Sequence, residues 1–219
     1  MSDVNIGQIF ISLVVLAFSL SFHEMAHAWT ALRLGDHTAA DEGRVTMNPV
    51  VHVDPIGTIL LPLLSVILTL SGVNAPLIGW AKPVPISIRR LAHPRRDVII
   101  IALAGPLSNL LLAVLTAVAV RLFLPSINQL SPGLGEPLRV ILRAALFTNL
   151  ALFLFNLVPI PPLDGGRILS NLLPLRSGLA FDGAAGVYGG IILLVLVFTG
   201  VLHRVITPGT FILAQLLLS

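Results

Sequence analysis

The sequence contains no cysteine. That excludes disulfides and thiolate metal sites, so any bound metal must be held by nitrogen and oxygen. Charge is scarce as well: 11% of the 219 residues are Asp, Glu, Lys or Arg, against 56% that are hydrophobic. Few water-soluble domains have that balance. Aromatic residues make up only 6% and do not interleave with the basic ones, which excludes a surface that stacks nucleic-acid bases. The N-terminal segment lacks the basic start of a secretion signal. It carries Asp3, and its apolar run leads directly into His23 and Glu24, so a mature helix is expected there.

What the sequence has instead is long charge-free runs. A bilayer core requires about 20 apolar residues per helix and excludes most charges. Val4 to Phe22, Val98 to Val120, Ala144 to Leu163 and Gly183 to Leu202 each lack Asp, Glu, Lys and Arg and read as spanning helices. Two further stretches are ambiguous: Pro55 to Ala81, interrupted by Pro62, Gly72, Pro76 and Gly79, and the short Val205 to Ser219. The expected fold is an all-α polytopic membrane protein of about five to six transmembrane helices with a re-entrant or extended membrane-associated segment. Net charge is +3, and Lys82, Arg89, Arg90, Arg95 and Arg96 lie in one stretch without an acid. In a membrane protein such a stretch marks the cytoplasmic side.

The chemistry is concentrated in Phe22-His23-Glu24-Met25-Ala26-His27. Two histidines four residues apart share a helical face and can reach one ion. Glu24 follows the first directly, where a carboxylate can take the proton of a metal-activated water. With six His and three Glu in the chain, composition alone would produce this HExxH pattern in about two of a thousand such sequences. The bland alternative is a metal-free polar cluster at a helix end, but ionisable groups in membrane segments are costly and mark function.

A catalytic zinc takes three protein ligands and keeps one open position, so HExxH is incomplete. The candidates for the third ligand are His37, His52, Asp54, His93, Asp164, Asp182 and His203. Asp164 stands out because it ends the run Ala144 to Leu163 within Asn156-Leu157-Val158-Pro159-Ile160-Pro161-Pro162-Leu163-Asp164-Gly165-Gly166. Three prolines there remove amide donors and break the helix, and irregular backbone at membrane depth lines an internal site. Gly165 and Gly166 would allow another backbone to come close. Asp164 also suits the N-cap of a short helix from Gly165 to Leu173. His52 and Asp54 are plausible ligand types, but they sit among Asn-Pro and Asp-Pro turn signals, and a turn role is the expectation for both.

These residues resemble the site-2 protease family of intramembrane zinc metalloproteases, through His23-Glu24-Met25-Ala26-His27 paired with the motif from Asn156 to Gly166. Ala104-Gly105-Pro106-Leu107-Ser108-Asn109 resembles the family's intervening core helix, and Gly79-Trp80-Ala81-Lys82-Pro83-Val84-Pro85 its membrane-associated extended segment. The resemblance implies one Zn2+ per chain held by His23, His27 and Asp164, Glu24 as catalytic acid/base, and a polar, substrate-side role for Asn156. It further implies transmembrane proteins as substrates and a prokaryotic plasma membrane as the location. No long polar stretch could house a PDZ insertion or a nucleotide-binding module, so residues 1–219 read as a single integral membrane protease domain of a compact branch. Its catalytic core spans about 6–173 and its C-terminal membrane helices about 183–219.

The two motifs also constrain topology. If His27 and Asp164 share an ion, Pro55 to Ala81 makes no net crossing, since a full span there would leave Asp164 on the opposite side. A re-entrant helix around Ile56 to Leu70 returning through an extended Gly79 to Ile86 meets that condition. The N-terminus then lies outside, the motifs approach the cytoplasmic side, and Leu122 to Leu138 forms an external connection. The extended segment could pair with an unwound substrate strand. Asn149 and Asn156, seven residues apart, share a helix face, and interhelical hydrogen bonding is the plain reading of Asn149 and Asn109. Gly183, Gly186, Gly189 and Gly190 are expected to permit close helix packing. A non-catalytic metal transporter, a helix-binding scaffold and a soluble zinc protease are the competing functions, and Glu24 argues against the first two because water activation requires it at that position and transport does not.

Overall fold

The computed structural model of the protein describes residues 6–72 and 79–219. Among them there is no strand. In chain order the helices are α1 (Ile6–Arg33), the one-turn α2 (Thr38–Asp41) and α3 (Pro49–His52), α4 (Leu61–Leu70) preceded by a π-turn over Pro55–Leu60, α5 (Pro94–Ile127), α6 (Pro132–Asn156), α7 (Asp164–Leu172), α8 (Leu175–Phe198) and α9 (Val201–Leu218). Four of these, α1, α5, α6 and α9, are long and apolar enough to cross a membrane, and α8, bent by 62°, makes a fifth if its two halves form one span.

Burial is inverted relative to a water-soluble domain. Phe10, Phe18, Val187, Ile191 and Phe198 are exposed, whereas Ser19, Ser21, His23, His27, Asn109, Asn149 and Asp164 are buried. Apolar side chains facing outward and polar ones facing one another is the arrangement a hydrocarbon solvent selects. Where α5, α6 and α9 meet, the buried residues are Ala113, Ala117, Leu146, Leu150 and Ala214. Small side chains there let the helix backbones approach, which supplies the dispersion contacts that hold helices together in lipid. α5 lies at the centre, packed against α1, α6 and α7.

The segment expected to be re-entrant behaves as one. Its apolar helix, Pro55 to Leu68, is too short to cross. Asp54 caps its entry, accepting from the N–H groups of Ile56 at 3.0 Å and Gly57 at 2.7 Å. The chain then returns to its own starting point, because the Trp80 N–H donates to Gly57 O at 3.1 Å and the Thr58 hydroxyl donates to Trp80 O at 2.8 Å. Entry and exit therefore lie on one side. Pro76, cited above as an interruption, falls outside the described residues.

Three boundaries differ from the sequence reading. The first helix continues eleven residues past the charge-free run that ends at Phe22, to Arg33, so the HExxH motif sits inside it. The expected external connection over Leu122 to Leu138 shrinks to four residues, because α5 runs on to Ile127 and Pro132 opens α6 at the first helical position, where its missing N–H costs nothing. The expected span Gly183 to Leu202 is cut at Gly200, whose φ of +73° is a left-handed stop, so that the short C-terminal stretch becomes part of the 18-residue α9. Of the four glycines expected to permit close packing, only Gly189 is closely approached: a Cβ there would stand 2.4 Å from the Pro161 carbonyl, whereas one at Gly183, Gly186 or Gly190 would meet nothing within 4 Å.

After the turn the chain runs without helix through Gly79 to Ser87. Lys82 donates to His52 O at 2.9 Å, and Ser87 donates to the fully buried Asp36 at 2.6 Å. Burial by itself pushes the Asp36 carboxyl up, but hydrogen bonds from Thr38 and Ser87, with the Arg90 charge nearby, outweigh it and hold the group below the usual carboxylate range. Its contribution to stability is therefore complete above the unfolded-state value of about 3.9 and is lost as the pH falls from there through the lower folded-state value. Thermal unfolding followed down from neutral pH should show this acid loss in the wild type, while Asp36→Asn starts less stable and lacks that component. An identical acid profile in the two proteins would remove Asp36 from the account.

Candidate metal centre

Two elements bring three candidate ligand atoms together. His23 and His27 lie one turn apart on α1, and Asp164 is the first residue of α7. The Nε2 atoms of His23 and His27 are 3.0 Å apart, and Asp164 Oδ2 is 3.1 Å from the first and 3.3 Å from the second. Among the described residues this is the only group of three or more His, Asp or Glu side chains placed to hold an ion. All three are buried.

The hydrogen bonds around the cluster suit it to a cation. His23 Nδ1 lies 2.7 Å from Asn109 Oδ1, and His27 Nδ1 lies 2.7 Å from the Ile101 carbonyl. Facing acceptors, both Nδ1 atoms carry the proton in the neutral rings, so both Nε2 lone pairs point into the cluster. Asp164 Oδ2, buried beside them, has no hydrogen-bond partner. Three polar atoms converging in a buried cluster need positive charge between them, which a metal cation would supply. Four ligands at about 2.05 Å around a tetrahedral ion lie about 3.3 Å from one another. The separations of 3.0 to 3.3 Å are close to that spacing, and two imidazoles with one carboxylate are a zinc donor set that leaves the fourth position open.

Local sequence explains why Asp164 arrives there. α6 ends at Asn156, and the proline-rich turns that follow reverse the chain, so that α7 begins at Asp164 itself. A Cβ at Gly165 would stand 2.4 Å from the carbonyls of Leu157 and Val158, and one at Gly166 would stand 2.5 Å from Pro161 N. The two glycines thus let the turn fold back on the helix it feeds. Asp164 occupies the first helical position and does not act as an N-cap, which is Leu163 without a side-chain bond. Arg95 fastens the far end of α7 by donating to the carbonyls of Asn171, at 2.8 Å, and Leu173.

Glu24 is half-buried, and its Oε2 accepts from the Val84 N–H at 3.1 Å. The extended segment therefore touches the carboxylate of the HExxH motif directly, a contact across 60 residues that no local pattern signals. Asn156 is half-buried, and its amide donates to Leu152 O of its own helix at 3.1 Å, with no hydrogen bond to the cluster. The remaining candidates lie elsewhere. His52 is buried with Nε2 on the Thr46 carbonyl, Asp54 caps the π-turn, His37 and His93 precede α2 and α5, Asp182 is exposed on α8, and His203 contacts Thr207 on α9. Sequence reasoning missed two parts of the site: that His23 is a partner of Asn109, of which only interhelical hydrogen bonding was expected, and the role of Gly105. α5 crosses the cluster at that glycine, where a Cβ would stand 2.3 Å from His27 Nε2 and 2.6 Å from His23 Cε1.

Comparison with known proteins identifies the family. The family model for peptidase family M50 matches residues 135–198. YwhC of Bacillus subtilis, named as a presumptive zinc metalloprotease, is 36% identical over 89% of this chain and 83% of its own length. Rip2 of Mycolicibacterium smegmatis, named likewise, is 32% identical over 85% of this chain and 66% of its own length. Rip2 of Mycobacterium tuberculosis is 36% identical over 67% of this chain, which spans 51% of that relative. No solved structure matches the chain. The chain belongs to peptidase family M50, the site-2 protease family, and is a multi-pass membrane zinc metalloprotease.

Proposed function

We propose that the protein hydrolyses peptide bonds within or next to transmembrane segments of membrane proteins, as in regulated intramembrane proteolysis, with His23, His27 and Asp164 as the zinc ligands and Glu24 as acid/base. The observation that carries this reading is the convergence of three candidate ligand atoms, buried among helices of membrane-spanning length, two of them in the motif that also carries Glu24. Zinc bound there lowers the pKa of water at its open position and polarises the substrate carbonyl. Glu24 takes the proton from the attacking water and passes it to the leaving amide nitrogen. Residues 1–219 act as one protease domain, oriented by the basic stretch Lys82 to Arg96 with its site toward the cytoplasm.

A helical substrate hides its carbonyls in hydrogen bonds and must be unwound before it is cut. Alternate amides of the extended segment, those of Trp80, Lys82 and Val84, are bonded to Gly57, His52 and Glu24. The opposite edge consists of Ala81, Pro83 and Pro85, whose carbonyls accept no hydrogen bond from the described residues. Prolines supply no N–H. An unwound strand laid along that edge would donate its N–H groups to these carbonyls while most of its own carbonyls stayed free to be attacked. Asn156, ahead of the helix break, serves as a hydrogen-bonding amide for the same strand.

The test is cleavage of a single-span substrate by the purified protein. Chelation should abolish cleavage and added zinc restore it, and exchanging Pro83-Val84-Pro85 for non-proline residues should slow it severalfold or more. Stoichiometric zinc binding without cleavage of a broad panel of membrane substrates would sink the reading. Cleavage indifferent to the segment exchange would remove only the strand-pairing part.

A further inference from the structure

We infer that Asn109, oriented by Asn149 and Ser19, is the positioning residue that sets the tautomer and angle of His23 and thereby the affinity of the metal site. This rests on the zinc site proposed above. The hydrogen-bond chain runs through three helices. His23 Nδ1 donates to Asn109 Oδ1 at 2.7 Å, Asn109 Nδ2 donates to Asn149 Oδ1 at 2.9 Å and to the Ser19 carbonyl at 3.3 Å, and Asn149 Nδ2 donates to Ser19 Oγ at 3.0 Å and to the Ala145 carbonyl at 2.9 Å. Asn109 is 0%, Asn149 3% and Ser19 4% exposed.

The direction of this chain is not free. An amide can present either its oxygen or its nitrogen to a neighbour, but a backbone carbonyl only accepts. The Ala145 carbonyl fixes the NH2 end of Asn149, which turns the Asn149 oxygen toward Asn109. That oxygen and the Ser19 carbonyl fix the NH2 end of Asn109, which leaves its oxygen for His23. His23 Nδ1 must then carry the proton and Nε2 the lone pair. Two backbone carbonyls, at opposite ends of the network, thus decide which nitrogen of His23 meets the ion.

His27 is held differently. Its Nδ1 faces a backbone carbonyl, Ile101 O, which no side-chain change removes. One ligand is therefore fixed by the main chain and the other by a side-chain relay, and each imidazole reports on its own support. In known metal sites such outer hydrogen bonds are worth about 10–100-fold in affinity.

The experiment measures zinc dissociation by competition with a chelator for the full chain in detergent, together with imidazole 15N shifts of the metal-free protein, for wild type, Asn109→Ala and Asn149→Ala. Asn109→Ala should weaken zinc binding by about 10–100-fold and convert His23 from a single Nδ1–H tautomer to a mixture, with His27 unchanged. Asn149→Ala should weaken it less and loosen the His23 tautomer in the same sense, and it carries the test if Asn109→Ala does not fold. Zinc binding within about twofold of wild type in both variants, or equal disturbance of His23 and His27, would overturn the inference by reducing the network to helix packing. A wild-type chain that binds no zinc would refute the metal site itself, a result distinct from either.

Discussion

Replacing Glu24 by Gln is expected to lower the rate of peptide-bond cleavage by about 10³-fold, within the range typical of a lost general base, while zinc remains bound. The amide has the shape of the carboxylate, and its oxygen can still accept from the Val84 N–H that Glu24 engages at 3.1 Å. The proposed ligands His23, His27 and Asp164 keep their separations of 3.0 to 3.3 Å, since none of them bonds to Glu24. What the substitution removes is basicity: an amide cannot take a proton from the attacking water or return it to the leaving nitrogen. Single-turnover cleavage of a membrane substrate, with zinc content and thermal stability measured on the same preparation, separates the cases. Undiminished cleavage by a zinc-loaded Glu24→Gln protein would assign the proton transfer to another group. Loss of zinc together with activity would make the carboxylate a structural element of the site.

Gly105→Ala should abolish zinc binding without unfolding the protein. The added methyl would stand 2.3 Å from His27 Nε2, 2.5 Å from His27 Cε1 and 2.6 Å from His23 Cε1, all closer than side-chain carbons are found. Either α5 withdraws or the imidazoles turn. α5 is packed against α1, α6 and α7, so its backbone has no free direction, whereas a ring can rotate at the cost of its Nδ1 hydrogen bond. Metal sites tolerate displacement of about 0.2 Å, well under what the contact demands. Affinity should therefore fall by more than about 100-fold, beyond the usual effect of losing one supporting hydrogen bond, with helix content preserved. Gly183→Ala on α8, where a Cβ meets nothing within 4 Å, is the matched control and should be silent. A Gly105→Ala protein with wild-type zinc affinity would show that the two rings are not confined between α1 and α5.

The relation of these residues to the sequence differs case by case. HExxH could be recognised because its ligands are four residues apart and a helix brings that spacing onto one face. Asp164 could be singled out because three prolines and two glycines at the end of an apolar run leave a carboxylate where a helix must break. Parity of crossings then required Pro55 to Ala81 to return on itself, and the Trp80 to Gly57 hydrogen bond is that return. By contrast, the stop at Gly200 was hidden inside a continuous apolar run, because hydropathy does not register a positive φ. Gly183, Gly186 and Gly190 were misread for a related reason: a small residue permits close approach, but only the neighbours decide whether anything approaches, as the Pro161 carbonyl does at Gly189.

Composition and local spacing by themselves determined the solvent, the metal chemistry and the reaction class. Charge-free runs long enough for a bilayer, the absence of cysteine, and a glutamate next to a histidine pair are properties of the chain read in order. Tertiary structure alone decided how the side chains of the proposed site are held. Asn109 meets His23 across 86 residues, Ile101 meets His27 across 74, and Val84 meets Glu24 across 60. A side chain's hydrogen-bond partner is fixed by which helix faces which, and helix packing in lipid depends on small residues spread over several segments whose pairing no single segment encodes.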